Sequence, residues 1–261
     1  MQPTLRRLRL LGTRLAQIRA PLQRGDWNSG VCPVCQRPTL FIATGTWLRD
    51  QYVCLFCWSI PRQRALLHVL NTAFPNWPTL QIHESSPSGA ASRRLQRSCP
   101  GYLPTQFYPD TPGGSMDQGV RCENLEGQTF ADASFDLVIT QDVFEHVLNP
   151  EPAFAEIART LRPGGAHVFT VPYYAEQTTC VRASAGADGV IYHLPPEYHR
   201  NPIDPDGSLV VTEWGTSLVD VIYRSSGLIT TIHTLNDRSR GIAGEFRDVF
   251  ISWKRHDAHE P

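Results

Sequence analysis

Two cysteine pairs carry the plainest chemistry in this sequence of 261 residues. Cys32-Pro-Val-Cys35 and Cys54-Leu-Phe-Cys57 stand 18 residues apart, which matches the C-x2-C, x15–20, C-x2-C spacing of a zinc site. Each pair supplies two thiolates, and four thiolates close a tetrahedron around Zn²⁺. The implied ion is structural, and its binding energy of roughly 10–16 kcal/mol acts as folding free energy. A redox motif would need only one pair. Cys99, Cys122 and Cys180 read as ordinary core or loop thiols. Arg62 and Arg64 follow the second pair; they could meet an anionic ligand, but read first as a solvated helix face. Two further clusters mix imidazole with carboxylate: Glu145-His146, and a loop holding Tyr192, His193, Glu197, Tyr198 and His199. Histidine titrates near neutrality and can serve as a base. Aromatics with polar tips suit a hydroxylated ligand. The plainer reading of both clusters is side chains that hold their own loops by hydrogen bonds.

The elements that must position these groups follow from periodicity. Leu5, Leu8, Leu11, Leu15 and Ile18 recur at helical spacing with Arg between them, a basic amphipathic helix. Its Leu face could pack on the body, on a second subunit as a homodimer, or on an anionic membrane surface. Residues 31–60 are dense in Cys and aromatics and read as a small β-rich, zinc-ribbon-like module. "SIPRQRALLHVLNTAF" is a helix with Pro61 in its first turn. "TLQIHE", "YLPTQFY" and "GVRCENLEGQTF" carry strands, and "SFDLVIT" is a buried one. Asn149 and Pro150 open a helix with Phe154, Ile157, Ala158 and Leu161 on its buried stripe. Pro163-Gly164-Gly165 stops it before the strand "AHVFTVP". Residues 175–208 lack periodicity and read as a long functional loop. "TSLVDVIYRSSG" is a helix, and "LITTIHT" and "DVFISWK" are the last strands. Alternation of strand and helix from Leu80 predicts an α/β, doubly wound, mostly parallel sheet, with ligands beyond its strand ends. The expected division is a helix at 1–25, a four-Cys zinc module at 26–60 and the α/β domain at 61–261.

Residues 123–174 closely resemble class I S-adenosylmethionine-dependent methyltransferases, in the large group that contains the quinone-biosynthesis methyltransferases. "F-x-D-x-S-F-D-L-V-I", "D-V-F-E-H-V-x-x-P" and "E-I-A-R-T-L-R-P-G-G" carry the match in order and spacing. The resemblance covers roughly residues 64–253 and leaves the cysteine module outside. It implies a seven-stranded Rossmann-like methyltransferase sheet with S-adenosylmethionine lying across the strand ends. It places Glu84, with Ser86 and Gly89 in the turn after the first strand, at the cofactor's amino-acid part. Asp110 would meet the ribose. Asn124 and Leu125 would meet the adenine, and Gln141 and Asp142 would close the pocket after the fourth strand. It puts His146 and Tyr173 where the reacting groups lie, and His199 of the tyrosine-rich loop is the third catalytic candidate on its own chemistry. The family's first turn reads acid-x-Gly-x-Gly-x-Gly, whereas this chain has Glu84-Ser-Ser-Pro-Ser-Gly89. Ser86 and Ser88 replace glycines that allow close approach to a ligand, and Pro87 removes an N–H donor. Some quinone-pathway O-methyltransferases hold a divalent cation through this loop. Asp142, Glu145 and His146 fit that pattern with ligands suited to Mg²⁺ or Zn²⁺.

The arrangement "CPVC…CLFC…PRQRAL" resembles methyltransferases of bacterial polysaccharide and glycosyl-transfer contexts, which implies a carbohydrate-linked acceptor. The leading expectation is therefore O-methylation of a small molecule or glycan. The alternatives are an RNA methyltransferase with the zinc module as clamp, and a non-catalytic binding protein that keeps the fold. Charge weighs against nucleic acid. Residues 1–25 hold six Arg and no acid, while the remainder holds 18 basic and 25 acidic groups, a balance of −7. A hydrophobic share of 41% excludes global disorder. No run approaches the ~20 apolar residues of a membrane helix. No apolar segment with a cleavage site follows the basic start, and four of seven Cys sit in tight pairs, which reads as a reducing, cytoplasmic setting.

Overall fold

The computed structural model describes residues 3–187, 189–199 and 206–256, with side chains from residue 12 onward. Helix α1 (Pro3–Arg24) leads into an antiparallel sheet of β1 (Trp27–Val31), β2 (Pro38–Ala43) and β3 (Tyr52–Cys54), with the one-turn helix α2 (Leu48–Gln51) before the third strand. The C-terminal part of α1 packs on this sheet. Ile18 is buried against Ile42 and Val53, and the Arg14 guanidinium lies 4.6 Å from the centroid of the Trp58 ring. Leu15 faces solvent. Leu5, Leu8 and Leu11 have side chains outside the described set.

Helix α3 (Pro61–Ala73) then opens the α/β layer. Its strands and helices follow as β4 (Ile82–Ser85), α4 (Gly89–Ser98), β5 (Tyr102–Gln106), β6 (Met116–Asp117), β7 (Val120–Cys122), β8 (Phe135–Gln141), α5 (Pro150–Thr160) and β9 (Leu161–Thr170). Six short strands come next: β10 (Cys180–Val181), β11 (Ala183–Gly186), β12 (Gly189–Tyr192), β13 (Tyr198–His199), β14 (Ser208–Leu209) and β15 (Thr212–Glu213). Helix α6 (Leu218–Ser226), β16 (Ile229–His233) and β17 (Val249–Trp253) close the chain. The large sheet runs β16-β17-β9-β8-β4-β5-β7-β6. The central pairs from β9 to β7 are parallel; β17 is antiparallel to both of its neighbours, and β6 to β7. This is the Rossmann-like methyltransferase fold that the resemblance implies.

Four expectations need correction. The sheet has eight strands, not seven, because Met116–Asp117 folds back on Val120–Cys122 as an extra edge. Helices do not alternate throughout: among the described residues β5 and β7 are joined by a loop and this hairpin, without a helix. The stretch 175–208 is not an unpatterned loop, since it pairs β11 with β12, β13 with β14, and β10 with β15. Pro163-Gly164-Gly165 lies inside β9 as an irregularity of register, after α5 has ended at Thr160.

Alternation along the strands builds two cores. Leu137 and Ile139 of β8, Ala166 and Val168 of β9, and Val249 and Ile251 of β17 meet α3 and α4 on one face. The same core continues into the cysteine module through Cys32, Phe41, Tyr52 and Cys54. Phe135, Val138, Phe169 and Phe250 meet α5 and α6 on the other face. His83 and His167 are fully buried there. His83 pairs with Thr105 Oγ1 at 2.8 Å and His167 with Thr140 Oγ1 at 3.0 Å. Burial lowers both to about 3, helped by Arg121 at His83 and by His83 at His167.

A pH dependence follows from these depressed values. Between about pH 6.5 and 3 the unfolded chain binds protons that the folded chain refuses, so stability is full above this window and falls as pH drops through it. The slope is roughly 1.4 kcal/mol per pH unit for each histidine. Urea midpoints at pH 7.5, 6 and 5 should decline, and His83→Gln/His167→Gln should flatten the decline. A slope equal to wild type in that double variant would place the acid sensitivity elsewhere.

Candidate functional site

The carboxyl ends of β4, β8 and β9 converge on one polar region roofed by the cysteine module and α3. Glu84, the penultimate residue of β4, is fully buried. Its carboxylate accepts from Ser92 Oγ at 2.8 Å, Tyr102 OH at 2.6 Å and Gln141 Nε2 at 2.6 Å. Burial raises its pKa against the pull of these three donors. Glu84 and Gln141 are thus brought together, and they form the floor of the region. The turn beyond them bends sharply, with Ser86 (φ 55°) and Gly89 (φ 75°) in the left-handed region. A Cβ on Gly89 would strike the Gln63 side chain, whose Oε1 accepts from the Ala90 amide at 3.3 Å. Glycine is required there both by its backbone and by that neighbour.

The remaining cofactor candidates follow consecutive neighbours in the sheet. Asp110 is exposed on the loop after β5. Asn124, exposed after β7, accepts from the Glu126 amide at 3.0 Å, and Leu125 beside it is buried. Since β4, β5 and β7 are adjacent, the turn at Ser86–Gly89, then Asp110, then Asn124 and Leu125 lie in sequence across the strand ends. That order fits an extended ligand with an amino-acid end, a ribose and a base.

Asp142 begins the loop after β8 with φ 51°, a left-handed conformation at the site itself. Its Oδ1 accepts from Thr170 Oγ1 at 2.8 Å. Its Oδ2 receives Arg49 Nη2, and Arg62 Nε at 3.1 Å. Arg62 also pairs with Asp50. The two guanidiniums and the Thr170 bond hold Asp142 below the usual carboxylate range in spite of its burial. Arg49 is itself held between aromatic rings, 5.6 Å from the centroid of Trp47 and 5.5 Å from that of Phe246.

Glu145 is 1% exposed, and neither carboxylate oxygen has a hydrogen-bond partner. Burial first, and Asp142 second, push its pKa well above the carboxylate range. His146 donates Nδ1–H to the Leu209 carbonyl at 2.7 Å, which leaves the Nε2 lone pair free, 3.8 Å from Glu145 Oε1. Burial lowers the His146 pKa, so the ring is neutral near pH 7. His199 stands edge-on to it, ring centroids 5.3 Å apart. Glu145, His146 and His199 each offer a ligand atom within 4.8 Å of the others. The set expected for a cation, Asp142 with Glu145 and His146, is not the one assembled, because the arginines and Thr170 already engage Asp142. Tyr173 bridges to Trp214 and packs edge-on against Phe250, 5.2 Å between ring centroids.

In the cysteine module, all four sulfurs lie within 4.8 Å of one another. The Cys32–Cys57 and Cys35–Cys54 separations are 3.7 and 3.9 Å. Sulfurs about 2.3 Å from a tetrahedral ion stand about 3.8 Å apart, so the donor set fits Zn²⁺. Ser59 Oγ lies 3.4 Å from Cys32 Sγ and 3.2 Å from Cys57 Sγ. Arg64, 0% exposed, donates to the Tyr52 carbonyl at 2.7 Å, to the Ser59 carbonyl, and to Gly241 O at 2.6 and 2.9 Å. Burial lowers its pKa to about 10, so it stays charged beside the thiolates.

The solvated-face reading of Arg62 and Arg64 is therefore overturned. The helix they open is buried nearly all round, and both guanidiniums find partners contributed by other segments. Arg49, Gln63, Ser92, Tyr102 and Thr170 were not among the sequence candidates, yet all touch them. No sequence signal marked the buried arginines: in "PRQRALLHVLNTA" Arg64, His68, Asn71 and Thr72 recur at helical spacing, as a solvated stripe would. A cleft of about 390 Å³ between β1, α3 and Arg240 touches the cysteine module at Cys32 and includes none of the strand-end candidates.

Residues 110–169 match the family model described as a methyltransferase domain. The match spans β6 to β9 and takes in the β8–α5–β9 unit at the centre of the sheet. More particular likenesses are partial. Dimethylglycine N-methyltransferase of Parasynechococcus marenigrum (strain WH8102) is 43% identical over 53 residues, 20% of this chain and 19% of that protein. The alignment thus spans about a fifth of that curated relative. An S-adenosylmethionine-dependent methyltransferase of Mesorhizobium loti is 15% identical, with 73% of this chain and 98% of that chain covered and a TM-score of 0.47. A chain of the Haloferax volcanii complex between the Trm112 methyltransferase activator and a methyltransferase is 16% identical, with coverages of 76% and 92% and a TM-score of 0.49.

Proposed function

We propose that this chain transfers a methyl group from S-adenosylmethionine to an oxygen of a small molecule or glycan, and that its four cysteines hold a structural Zn²⁺. The methyltransferase-domain match carries the reading, because it contains β8, the Asp142–His146 loop and most of β9. Bound S-adenosylmethionine supplies a methyl carried on a positively charged sulfur. Glu84 and Gln141 set the floor beneath its amino-acid end, Asp110 accepts from the ribose, and Asn124 with Leu125 borders the base. His146 takes the acceptor's hydroxyl proton at Nε2, the nitrogen that the Leu209 bond leaves free. Exposed Tyr192 and Tyr198 offer flat faces for a sugar beyond His199.

Titration calorimetry with S-adenosylmethionine and S-adenosylhomocysteine tests the first half. Micromolar binding, about −8 kcal/mol, is expected. Isotope transfer to oxygen acceptors tests the second half, with nitrogen acceptors as the control arm. His146→Ala should lower turnover by roughly 10²–10⁴-fold and leave cofactor affinity unchanged. One observation favours a second reading, a non-catalytic binding protein: Gln63 fills the space beside Gly89, and the Glu84 donors are all internal. Failure of folded, zinc-loaded protein to bind either cofactor form would select that reading.

A further inference from the structure

We infer that Arg49 and Arg62 form a carboxylate clamp that takes the α-carboxylate at the amino-acid end of the cofactor. The inference rests on the proposed methyl transfer and names a contact for it. Consecutive residues of α3 reach two neighbouring strand ends. Arg62 bonds Asp142 past β8, while Gln63 reaches Gly89 and Ala90 past β4. The N-terminus of α3 therefore spans the place where the amino-acid part would lie. Glu84 cannot take a carboxylate, being an acid with three donors already bound. The cations above it can.

Their bonding is incomplete in a way that points to a ligand. Both arginines crowd onto a single oxygen, Oδ2 of Asp142. Arg49 Nε is buried without a hydrogen-bond partner, on a residue only 7% exposed. A guanidinium presents five N–H donors in a fixed fork suited to two carboxylate oxygens. Trp47 and Phe246 pack against the Arg49 guanidinium. Thr170 holds the other Asp142 oxygen, so Asp142 keeps its place when the arginines share their donors with an arriving carboxylate. Of the other acids near the pair, Asp50 is half-exposed and pairs with both arginines, and Glu145 is buried within electrostatic reach of them. The cysteine module, through Arg49, would thereby contribute directly to cofactor affinity.

The test compares S-adenosylhomocysteine with 5′-methylthioadenosine, which keeps the nucleoside thioether and lacks the amino-acid part. Wild-type, zinc-loaded protein should bind the former at least tenfold more tightly. Arg62→Met and Arg49→Met should each remove most of that preference and leave 5′-methylthioadenosine affinity unchanged. Arg62→Lys should restore part of it, since one ammonium replaces a fork. An unchanged preference in both Met variants overturns the clamp while leaving the proposed activity standing. Equal weakening of both ligands also overturns it, because that assigns the arginines a purely structural role. Binding of neither ligand by folded wild type removes the activity and the clamp together.

Discussion

With zinc held by the four cysteines as proposed, replacing Cys54 with Ser should release the ion and lower the melting temperature by roughly 10 °C or more. The effect is large because the module is not an appendage. Cys32, Phe41, Tyr52 and Cys54 share one core with Leu66 and Leu70 of α3 and with Ile82, Leu137 and Val168 of the main sheet. Charge adds to this. Four thiolates around Zn²⁺ carry about −2 in total, and the buried Arg64 lies beside them, bonded to carbonyls of β3, of Ser59 and of Gly241. Without the ion the thiols reprotonate and Arg64 keeps a buried charge with no counter-charge. Metal content by elemental analysis and a melting curve read the outcome. A Cys54→Ser protein that keeps one zinc per chain and melts within ~2 °C of wild type would remove the cysteines from the fold's energetics. Stripping wild-type protein with a strong chelator should reproduce the loss, and adding Zn²⁺ should reverse it.

Much of this architecture is legible in the residues. The spacing of four cysteines is a local signal, and the structure brings the four sulfurs together. "SFDLVIT" has the near-continuous apolar run of a strand covered on both faces, and it becomes β8 at the centre of the sheet. Pro150 and the stripe through Phe154 and Ile157 specify α5 in the same local way. What escapes the sequence is what depends on distant partners. Met116–Asp117 is a two-residue strand whose only reason to exist is the neighbouring edge. The strands paired from residue 180 onward are two to four residues long, too short to show an alternating period.

The candidate site divides along the same line. Glu84, Asp142 and His146 stand at strand ends that a motif can mark. Their chemical state is set from elsewhere. Glu84 is enclosed by Ser92 and Tyr102, from α4 and β5. Asp142 is paired with Arg49 and Arg62, which lie 93 and 80 residues earlier in the chain. His146 gains its free nitrogen from a carbonyl at Leu209. A buried arginine looks in sequence like an exposed one, because only the tertiary partner distinguishes them.

That pairing carries the second large expectation. Asp142→Ala should destabilise the protein by about 3–5 kcal/mol, the usual cost of removing one partner from a buried ion pair. Two guanidiniums would then share only the half-exposed Asp50. The pH profile gives an independent check. Asp142 is held below the usual carboxylate range by Arg62 and Arg49. Its contribution is therefore complete above the unfolded value of about 3.9 and is lost only as pH falls through the lower folded value. Asp142 itself adds no slope to the deficit from pH 5 to 8, and any slope there belongs to Glu145, whose pKa Asp142 raises. A deficit that shrinks as pH falls from 8 to 6 would show that another group supplies the coupling. Arg49→Met/Arg62→Met/Asp142→Ala should recover much of the stability, since removing all three charges leaves none unpaired in the interior. Under the clamp, S-adenosylhomocysteine should raise the melting temperature of Asp142→Ala by more than that of wild type, because its carboxylate supplies the counter-charge the variant lacks. The triple variant should lose that response.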